Sequence, residues 1–367
     1  MNKSISNVDT PAMLLDIDQM EKNIAAIAKF AKDANVAVRP HIKTHKSIEI
    51  GNRQIEAGAV GLTVATVGEA EMMAAGGISD ILIAFPIGAE TKLRRVRELM
   101  KKAKITVAVD SIEQVDILQK SFTETEPLHV WIKVNSGLHR VGVEPNEEVV
   151  ELAKHIYGLS ALRLTGIFTH AGHSYAATSR EEIEQIARDE AEAVVTSAKR
   201  CEEVGIEIPH RSIGSTPTFK IAGAVDGVTE IRPGNAVFYD MVQVGLGVAS
   251  KEQCALTVVA SVASVKADRI VIDAGSKTLA LDQGAHGNES IKGHGYVKEH
   301  PELVIERLSE EHGVIPVDGK VDVELNDRLT IIPNHACVVV NLFNTYLVHQ
   351  DGKIIAEWPV DARGRVN

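Results

Sequence analysis

A lysine in a basic segment is the first residue of this sequence that could do chemistry. Lys43 lies in R-P-H-I-K-T-H-K, at the end of an apolar run, with His41, His45 and Lys46 beside it. Burial and nearby positive charge both lower the pKa of a lysine amine. A partly deprotonated amine forms a Schiff base with an aldehyde, so the segment predicts a covalent site for a carbonyl compound. A solvent-facing basic turn is the alternative.

Two turns rich in small residues are typical of an anion site. Residues 213–218 read I-G-S-T-P-T, and residues 232–235 read R-P-G-N. Glycine lets the backbone approach a ligand, serine or threonine caps a helix, and proline fits its first turn. Free N–H groups at such a turn bind phosphate, although an ordinary turn with a cap has the same composition.

The motif Asn334-His335-Ala336-Cys337 combines an imidazole with a thiol. On a strand, His335 and Cys337 would face the same side, because side chains alternate. Imidazole and thiolate suit Zn²⁺. Two ligands are too few for a closed structural site, so the pair predicts a catalytic metal with open positions. The competing interpretation is a buried cysteine beside a capping histidine.

Three more segments carry polar side chains. Residues 135–142 include one arginine, and residues 169–175 include two histidines and a tyrosine. Residues 273–277, D-A-G-S-K, have either a role in the site or the role of a simple turn, and the sequence favours neither. Because the first two follow predicted strands, we expect them to converge on one face of a sheet, although surface loops are the alternative.

The elements that position these groups alternate between short β-branched runs and longer amphipathic segments, which predict strands and helices respectively. The predicted strands are residues 36–44, 61–66, 80–86, 105–111, 129–135, 162–170, 210–215 and 228–232. The predicted helices are residues 17–33, 47–57, 67–75, 90–103, 112–122, 147–157 and 179–204.

About eight βα units over roughly 230 residues match a (β/α)₈ TIM barrel, whose active site lies at the carboxyl ends of its strands. The predicted fold class is therefore α/β. A doubly wound open sheet is the alternative, but no G-x-G-x-x-G motif follows the first strand.

The pattern changes after residue 248. Predicted strands at residues 255–265, 269–273, 328–332, 337–342, 345–349 and 353–357 indicate a C-terminal antiparallel β domain. Between them, residues 281–300 contain Gly284, Gly287, Gly293 and Gly295 and predict a long functional loop. We assign residues 12–248 to the barrel, and residues 1–11 and 249–367 to the β-rich domain.

Composition excludes several classes of protein. The 367-residue chain is 44% hydrophobic and 24% charged, as expected of a globular protein. Its net charge of −11 and the absence of a Lys/Arg run argue against nucleic-acid and membrane-surface partners. Three scattered cysteines, no secretory signal and no apolar run long enough to span a membrane predict a cytoplasmic location.

The motifs together point to a family. D-T-P at residues 9–11, R-P-H-x-K-T-H-K, G-S-T-P, R-P-G-N, D-A-G and P-N-H-x-C occur in this order over nearly the whole chain. The sequence resembles the D-threonine aldolase and D-serine dehydratase group of fold-type III pyridoxal-phosphate enzymes. The resemblance implies an alanine-racemase-like barrel with a β domain, pyridoxal phosphate as cofactor, and active sites shared across a homodimer.

The same resemblance assigns roles to individual residues. Lys43 is the Schiff-base lysine, Arg140 lies near the pyridine nitrogen, and His335 and Cys337 bind the metal, with Zn²⁺ expected and Mn²⁺ or Mg²⁺ as alternatives. Phosphate contacts fall to Gly214, Ser215, Thr216, Gly234 and Asn235, and further cofactor contacts to Thr66, His170 and Tyr175.

The implied activity is a lyase reaction on D-3-hydroxy-amino acids. We expect the D-threonine aldolase type, in which His173 is the candidate base and glycine and an aldehyde are released. A D-serine or D-3-hydroxyaspartate dehydratase, in which Lys43 takes the Cα proton, is the alternative, and the cysteine at position 337 is typical of it. An amino-acid racemase, a pyridoxal-phosphate homeostasis protein and a sugar-phosphate barrel enzyme are further rivals.

Overall fold

The computed structural model describes residues 3–284, 291–319 and 321–367. Its strands are β1 (Lys3–Ser4), β2 (Ala12–Asp16), β3 (Ala37–Val38), β4 (Leu62–Val64), β5 (Asp80–Ile83), β6 (Lys104–Val109), β7 (Leu128–Lys133), β8 (Leu162–Phe168), β9 (His210–Ile213), β10 (Glu230–Ile231), β11 (Leu256–Val265), β12 (Arg269–Ile272), β13 (Tyr296–Val297), β14 (Arg307–Leu308), β15 (Gly313–Pro316), β16 (Arg328–Ile332), β17 (Thr345–Gln350) and β18 (Lys353–Pro359). Its helices are α1 (Ile17–Asp33), α2 (Ile48–Glu56), α3 (Val67–Ala75), α4 (Glu90–Met100), α5 (Ile112–Ser121), α6 (Glu147–Tyr157), α7 (Arg180–Glu203), α8 (Phe219–Ala222), α9 (Met241–Gly245), α10 (Ser276–Leu279) and α11 (Ala336–Val340).

Strands β3 to β10 form a parallel barrel. They pair in the order β3-β10-β9-β8-β7-β6-β5-β4. A parallel bridge between His41 and Thr63, with the Thr63 N–H bonded to the Pro40 carbonyl at 2.8 Å, joins the two ends of this order. The predicted α/β barrel is confirmed.

The first barrel strand is much shorter than predicted. It covers only Ala37–Val38, and the chain passes through Pro40 into a 3₁₀ turn at Ile42–Thr44. Proline has no N–H to continue the ladder, so the strand ends before it. Lys43 therefore lies in the turn after the strand rather than on the strand itself.

Buried ion pairs occupy the amino-terminal end of the barrel interior. The Arg39 guanidinium donates to Glu230 at 3.0 Å and to Asp80 at 2.5 Å, and Arg39 and Glu230 are almost fully buried. A Cβ on Gly61 would lie 2.4 Å from Arg39 Nη1, so a side chain at this position would clash with the guanidinium. This end of the barrel is closed by matched charges.

The second sheet contains β1, β2 and β11 to β18. Most of its pairs are antiparallel, but β2 pairs parallel with β17 and antiparallel with β11. Because β2 (Ala12–Asp16) belongs to this sheet, the barrel begins after Asp16 rather than at residue 12.

One predicted strand is wrong. Residues 337–342 were expected to extend because of their three consecutive valines, but α11 (Ala336–Val340) is a short helix. The buried Asp240 carboxylate accepts the Ala336 N–H at 2.9 Å, which caps the start of this helix from another element. The tertiary contact overrides the local strand propensity.

The predicted loop at residues 281–300 is described only in part, because residues 285–290, with Gly287, lie outside the described residues. Gly284, Gly293 and Gly295 lie in its irregular flanks. Among the described helices, none is long and apolar enough to cross a membrane.

Candidate active site

A cavity of about 460 Å³ opens at the carboxyl ends of the barrel strands, where a TIM barrel places its active site. The turns after β3, β8, β9 and β10 contribute to it, and the second domain adds His335 and Cys337. Of the residues predicted for the site, those lining the cavity are Lys43, Arg140, His170, Tyr175, Gly214, Ser215, Thr216, Gly234, Asn235, His335 and Cys337.

The Lys43 amine faces this cavity from the 3₁₀ turn. The turn is held by the His41 imidazole, whose Nδ1 accepts the Lys43 N–H at 3.2 Å. Burial lowers the pKa of the Lys43 amine, Arg140 adds to the effect, and the Cys337 thiolate opposes it. A lysine in this state carries a larger neutral fraction than a free lysine and is better suited to attack an aldehyde.

The two glycine-containing turns present unpaired backbone donors. Among the described residues, the N–H groups of Ser215, Gly234 and Asn235 donate no hydrogen bond, and all three residues are buried. Buried unpaired N–H groups are costly, and several on one concave surface form an anion site. Helix α8 after the first turn has only four residues, so the turns themselves provide the donors.

Gly214 differs from the other predicted phosphate ligands. Its N–H donates to the Glu190 carboxylate at 3.0 Å, and its carbonyl accepts from His170 Nδ1 at 2.5 Å. Both of its backbone groups are therefore occupied. Because His170 Nδ1 carries the proton in this bond, Nε2 is left as an acceptor, and burial keeps the pKa of this imidazole well below its usual value.

Three basic side chains, Lys43, Lys133 and Arg140, line the cavity. Lys133, at the end of β7, is almost fully buried, which lowers the pKa of its amine well below the usual value, and its Nζ lies 4.5 Å from the centre of the Phe168 ring. Within the described part of the chain, no carboxylate lies within 4 Å of the charged groups of Lys43, Lys133 or Arg140. Sequence reasoning missed Lys133. Its position at the carboxyl end of a barrel strand is the signal that could have identified it.

The loop that carries Arg140 is held in place by Asn135. The Asn135 side-chain oxygen accepts the N–H groups of Gly137 at 3.2 Å and His139 at 3.0 Å. Gly142 follows with φ +113°, a conformation that favours glycine. These contacts fix the arginine at the rim of the cavity.

Two predicted site residues lie outside the lining of this cavity. The Thr66 hydroxyl accepts the Glu69 N–H and donates to the Arg365 carbonyl at 2.7 Å, so it caps α3 instead of facing a cofactor. His173 lies in the loop after β8, and its ring would contact a Cβ built on Gly137 at 3.0 Å. The spacing of strand ends could not reveal these orientations.

Tyr175, in contrast, lines the cavity beside Thr216. Burial, the Cys337 thiolate and Asp240 raise the pKa of its phenol well above the usual value. The phenol therefore stays protonated at neutral pH.

The predicted metal pair comes together at the edge of the cavity, although not on a strand. His335 precedes α11, and Cys337 is the second residue of this helix. Burial works against a charged thiolate, but His335 and Lys43 stabilise it and lower the pKa of Cys337. The Thr44 hydroxyl lies 3.2 Å from the sulfur, next to the Lys43 backbone.

A carboxylate holds the imidazole of this pair. His335 Nδ1 lies 2.6 Å from Asp282 Oδ2, which leaves Nε2 to face a metal. Asn334 Nδ2 donates to the carbonyls of Gln283 at 3.0 Å and Gly293 at 2.8 Å and so ties together the two sides of the loop that carries Asp282. A carboxylate–histidine contact is the usual support of a metal-binding imidazole.

The donor set fits a divalent metal with open positions. An imidazole nitrogen and a stabilised thiolate are suitable ligands for Zn²⁺. In the described ranges, no group of three or more His, Cys, Asp or Glu side chains could hold a metal ion. Two protein ligands would leave room for water or substrate.

Asp240 connects the two halves of the site. Its buried carboxylate accepts Asn235 Nδ2 at 2.6 Å and the Ala336 N–H at 2.9 Å. The turn at residues 232–235 and the helix of Cys337 therefore share one anchor. The β domain is thus fixed to the barrel where His335 and Cys337 meet the cavity.

Comparisons with known families agree with this architecture. Residues 15–242 match the alanine racemase N-terminal domain family, and residues 255–349 match the putative serine dehydratase domain family. The chain belongs to the alanine-racemase-like family, and within it to the D-threonine aldolase and D-serine dehydratase group.

Individual relatives cover almost the whole chain. D-threo-3-hydroxyaspartate dehydratase of Delftia sp. strain HT23 is 34% identical over 94% of this chain and 95% of its own length. The crystal structure of D-threonine aldolase from Filomicrobium marinum, at 29% identity, covers 100% of this chain and 98% of its own with a TM-score of 0.92. Both names describe lyases.

A second solved structure concerns a cysteine of a related enzyme. It is the metal-free form of a D-threo-3-hydroxyaspartate dehydratase variant with alanine in place of a cysteine, at 32% identity, 97% coverage of this chain, 98% of its own and a TM-score of 0.90. A companion variant of that enzyme replaces a histidine two positions earlier. The spacing is that of His335 and Cys337.

Proposed function

We propose that the protein is a lyase that uses pyridoxal phosphate and a divalent metal ion to eliminate water from D-3-hydroxy-amino acids. The enamine released by the elimination hydrolyses to a 2-oxo acid and ammonia. One observation carries the proposal: a single cavity combines the Lys43 amine, the His335 and Cys337 pair, and the unpaired N–H groups of the turns at residues 213–218 and 232–235. We call these two turns the first and second phosphate turns.

The residues of the cavity fit the cofactor. Lys43 is the amine that would carry its aldehyde carbon, and the N–H groups of Ser215, Gly234 and Asn235 would bind its phosphate. Lys133 and Arg140, which have no carboxylate within 4 Å in the described part of the chain, are suited to the negative charges of cofactor and substrate. When bound, pyridoxal phosphate supplies an electron sink that stabilises negative charge at the substrate Cα.

The side chains of this chain would divide the remaining work. Lys43, with its lowered pKa, is the group suited to accept the Cα proton. His335 and Cys337 would hold the divalent ion, which supplies Lewis acidity toward the 3-hydroxyl group of the substrate. The neutral His170 orients Gly214 through its Nδ1 donor and so keeps the phosphate turn in place.

The position of the candidate bases favours the dehydratase over the aldolase that we expected from the sequence. Dehydration needs a base at Cα, and Lys43 lines the cavity. Retro-aldol cleavage needs a base at the 3-hydroxyl, but the candidate His173 does not line it. Similarity to a D-threonine aldolase structure over the whole chain keeps retro-aldol cleavage as the second candidate.

Product analysis separates the two reactions. Purified protein is supplied with pyridoxal phosphate and Zn²⁺ or Mn²⁺ and given D-threonine, D-serine or D-threo-3-hydroxyaspartate, with the L-isomers as controls. We expect 2-oxo acid and ammonia in equal amounts from the D-isomers. Glycine with an aldehyde as the main products would overturn the dehydratase proposal. Formation of the L-isomer, unaffected by EDTA and with neither set of cleavage products, would favour a racemase.

We also propose that a second copy of the chain covers the mouth of the cavity. Phe85 lines the mouth and is 58% exposed, and Leu281, beside the loop that holds His335, is 67% exposed. Large apolar side chains at a site rim are typical of an interface. Light scattering coupled to size-exclusion chromatography should give twice the mass of 39.6 kDa, and a monomer at micromolar concentration would contradict it.

A further inference from the structure

Behind the phosphate turns lies a carboxylate with no exposed surface, Glu190 in the middle of α7. Its Oε1 atom accepts the Thr169 hydroxyl at 3.0 Å and the Ala171 N–H at 3.1 Å. The same oxygen accepts the Gly214 N–H at 3.0 Å, and Oε2 accepts the Thr218 hydroxyl at 2.6 Å. Four donors from two different loops therefore converge on one side chain.

These donors come from the two ends of the first phosphate turn and from the two residues on either side of His170. Gly214 and Thr218 delimit the turn, while Thr169 and Ala171 flank His170. The His170 ring in turn donates to the Gly214 carbonyl at 2.5 Å. The backbone of Gly214 is thus fixed at its N–H and at its carbonyl, and the next N–H, that of Ser215, is the first one left for a ligand.

We propose that Glu190 is a positioning residue for the phosphate group of the cofactor. It acts through the turn and does not touch the phosphate, because the carboxylate already accepts four hydrogen bonds, about as many as its lone pairs allow. It aligns the free donors of the turn by tying both of its ends to one rigid helix. This role presupposes the pyridoxal phosphate site proposed above.

A role in packing alone would not require a charged residue at this place. Burying a carboxylate is costly unless every lone pair is satisfied, and a hydrophobic side chain would fill the same space at lower cost. The carboxylate is an acceptor at both oxygens, so it can hold N–H and O–H donors from two loops at once, which an apolar side chain cannot do. Such acceptor geometry serves the orientation of the loops.

The cofactor and its dephosphorylated form distinguish this role from a general structural one. Pyridoxal lacks the phosphate but has the same ring and aldehyde. If Glu190 positions the phosphate turn, Glu190→Gln should raise the dissociation constant of the apoprotein for pyridoxal phosphate about tenfold, since one optimised set of charged hydrogen bonds is lost. Its dissociation constant for pyridoxal should change less than about twofold.

Two further variants complete the experiment. Thr218→Val removes one of the four donors with little change of shape and should raise the constant for pyridoxal phosphate by about threefold, again without an effect on pyridoxal. Glu192→Gln makes the same chemical change on the exposed face of α7 and should change neither constant. Thermal unfolding of each apoprotein verifies that the variants are folded.

The outcomes are distinct. A selective loss for pyridoxal phosphate in Glu190→Gln and Thr218→Val supports the positioning role. An equal loss for pyridoxal and pyridoxal phosphate, or no loss for either, would overturn it while the proposed function stands. Failure of the unaltered protein to bind pyridoxal phosphate would instead count against the proposed function itself.

Discussion

The two ends of the barrel treat positive charge in opposite ways. At the amino-terminal end, the Arg39 guanidinium is paired with Asp80 and Glu230 inside the sheet. At the carboxyl end, Lys43 and Lys133 line a cavity. In the described part of the chain, no carboxylate lies within 4 Å of either amine. Charges in the interior are tolerated when they are paired. Burial and neighbouring cations lower the pKa of both amines, so a ligand that brings its own negative charge would stabilise their charged forms.

The difference also separates stability from function. The ion pairs at the closed end have their partners within the protein, so their loss should destabilise the fold. The basic groups at the open end have no such partner in the described part of the chain, and under the proposed function they gain one when an anionic ligand binds. Variants at the two ends should accordingly affect different measurements.

Replacement of Lys43 should have the largest effect. Lys43→Ala removes the only group proposed to carry the cofactor, so activity should fall on the order of 10³-fold or more, and the visible absorption band should disappear. Lys29→Ala, at an exposed position of α1, is the matched control and should change neither. A coloured and active Lys43→Ala protein would show that the open end has been misassigned.

Arg39→Met should give the opposite pattern. It leaves Glu230 buried without its cation, so the free energy of unfolding should fall by about 3–5 kcal/mol. Urea unfolding measures this loss. In the folded protein, the dissociation constant for pyridoxal phosphate should stay within about twofold of the original value. A large loss of cofactor affinity with unchanged stability would contradict the division between the two ends.

Replacement of Cys337 should separate the metal from the cofactor. Cys337→Ala leaves one protein ligand, so the affinity for Zn²⁺ should fall by at least about 100-fold, while the cofactor stays bound at Lys43. Metal analysis and the absorption spectrum measure the two properties. Cys201→Ala, a buried cysteine of α7, should retain the metal. Unchanged metal content in Cys337→Ala would exclude the proposed ligand pair.

The smallest effect concerns pH at the closed end. Burial lowers the pKa of the His129 imidazole, and Lys104 lowers it further, while Asp80 raises it. Burial also lowers the pKa of His210; Glu230 raises it, and Arg39 and Lys104 lower it further. Because the unfolded chain binds protons near pH 6.5 and the folded protein only at lower pH, stability should be full above about pH 6.5 and should decline as the pH falls below it. His210→Gln should weaken this decline, and an unchanged pH profile would refute the assignment.

Much of the fold could be predicted from the sequence because its signals are local. Alternation of β-branched runs with amphipathic segments predicted the barrel, and α7 was predicted within one residue at each end. Residues 337–342 failed because three valines favour a strand locally, whereas the distant Asp240 carboxylate caps a helix there. No local pattern contains that contact.

The site shows the same limit. Motifs at strand ends pointed to Lys43 and to both phosphate turns, and the H-x-C motif pointed to His335 and Cys337; residues from all of these line one cavity. The direction of a side chain could not be predicted from these motifs. Thr66, expected to contact a cofactor, caps α3 instead. Glu190 was missed because it lies in a helix with several other charged residues, Asp189 and Glu192 among them, and only the fold brings it behind Gly214.

The most direct test is to locate the covalent link between protein and cofactor. Purified protein supplied with pyridoxal phosphate is reduced with borohydride, digested and mapped by mass spectrometry. The account predicts a phosphopyridoxyl group on Lys43 alone. Labelling of Lys133, which also lines the cavity, or no stable adduct on any lysine, would contradict it.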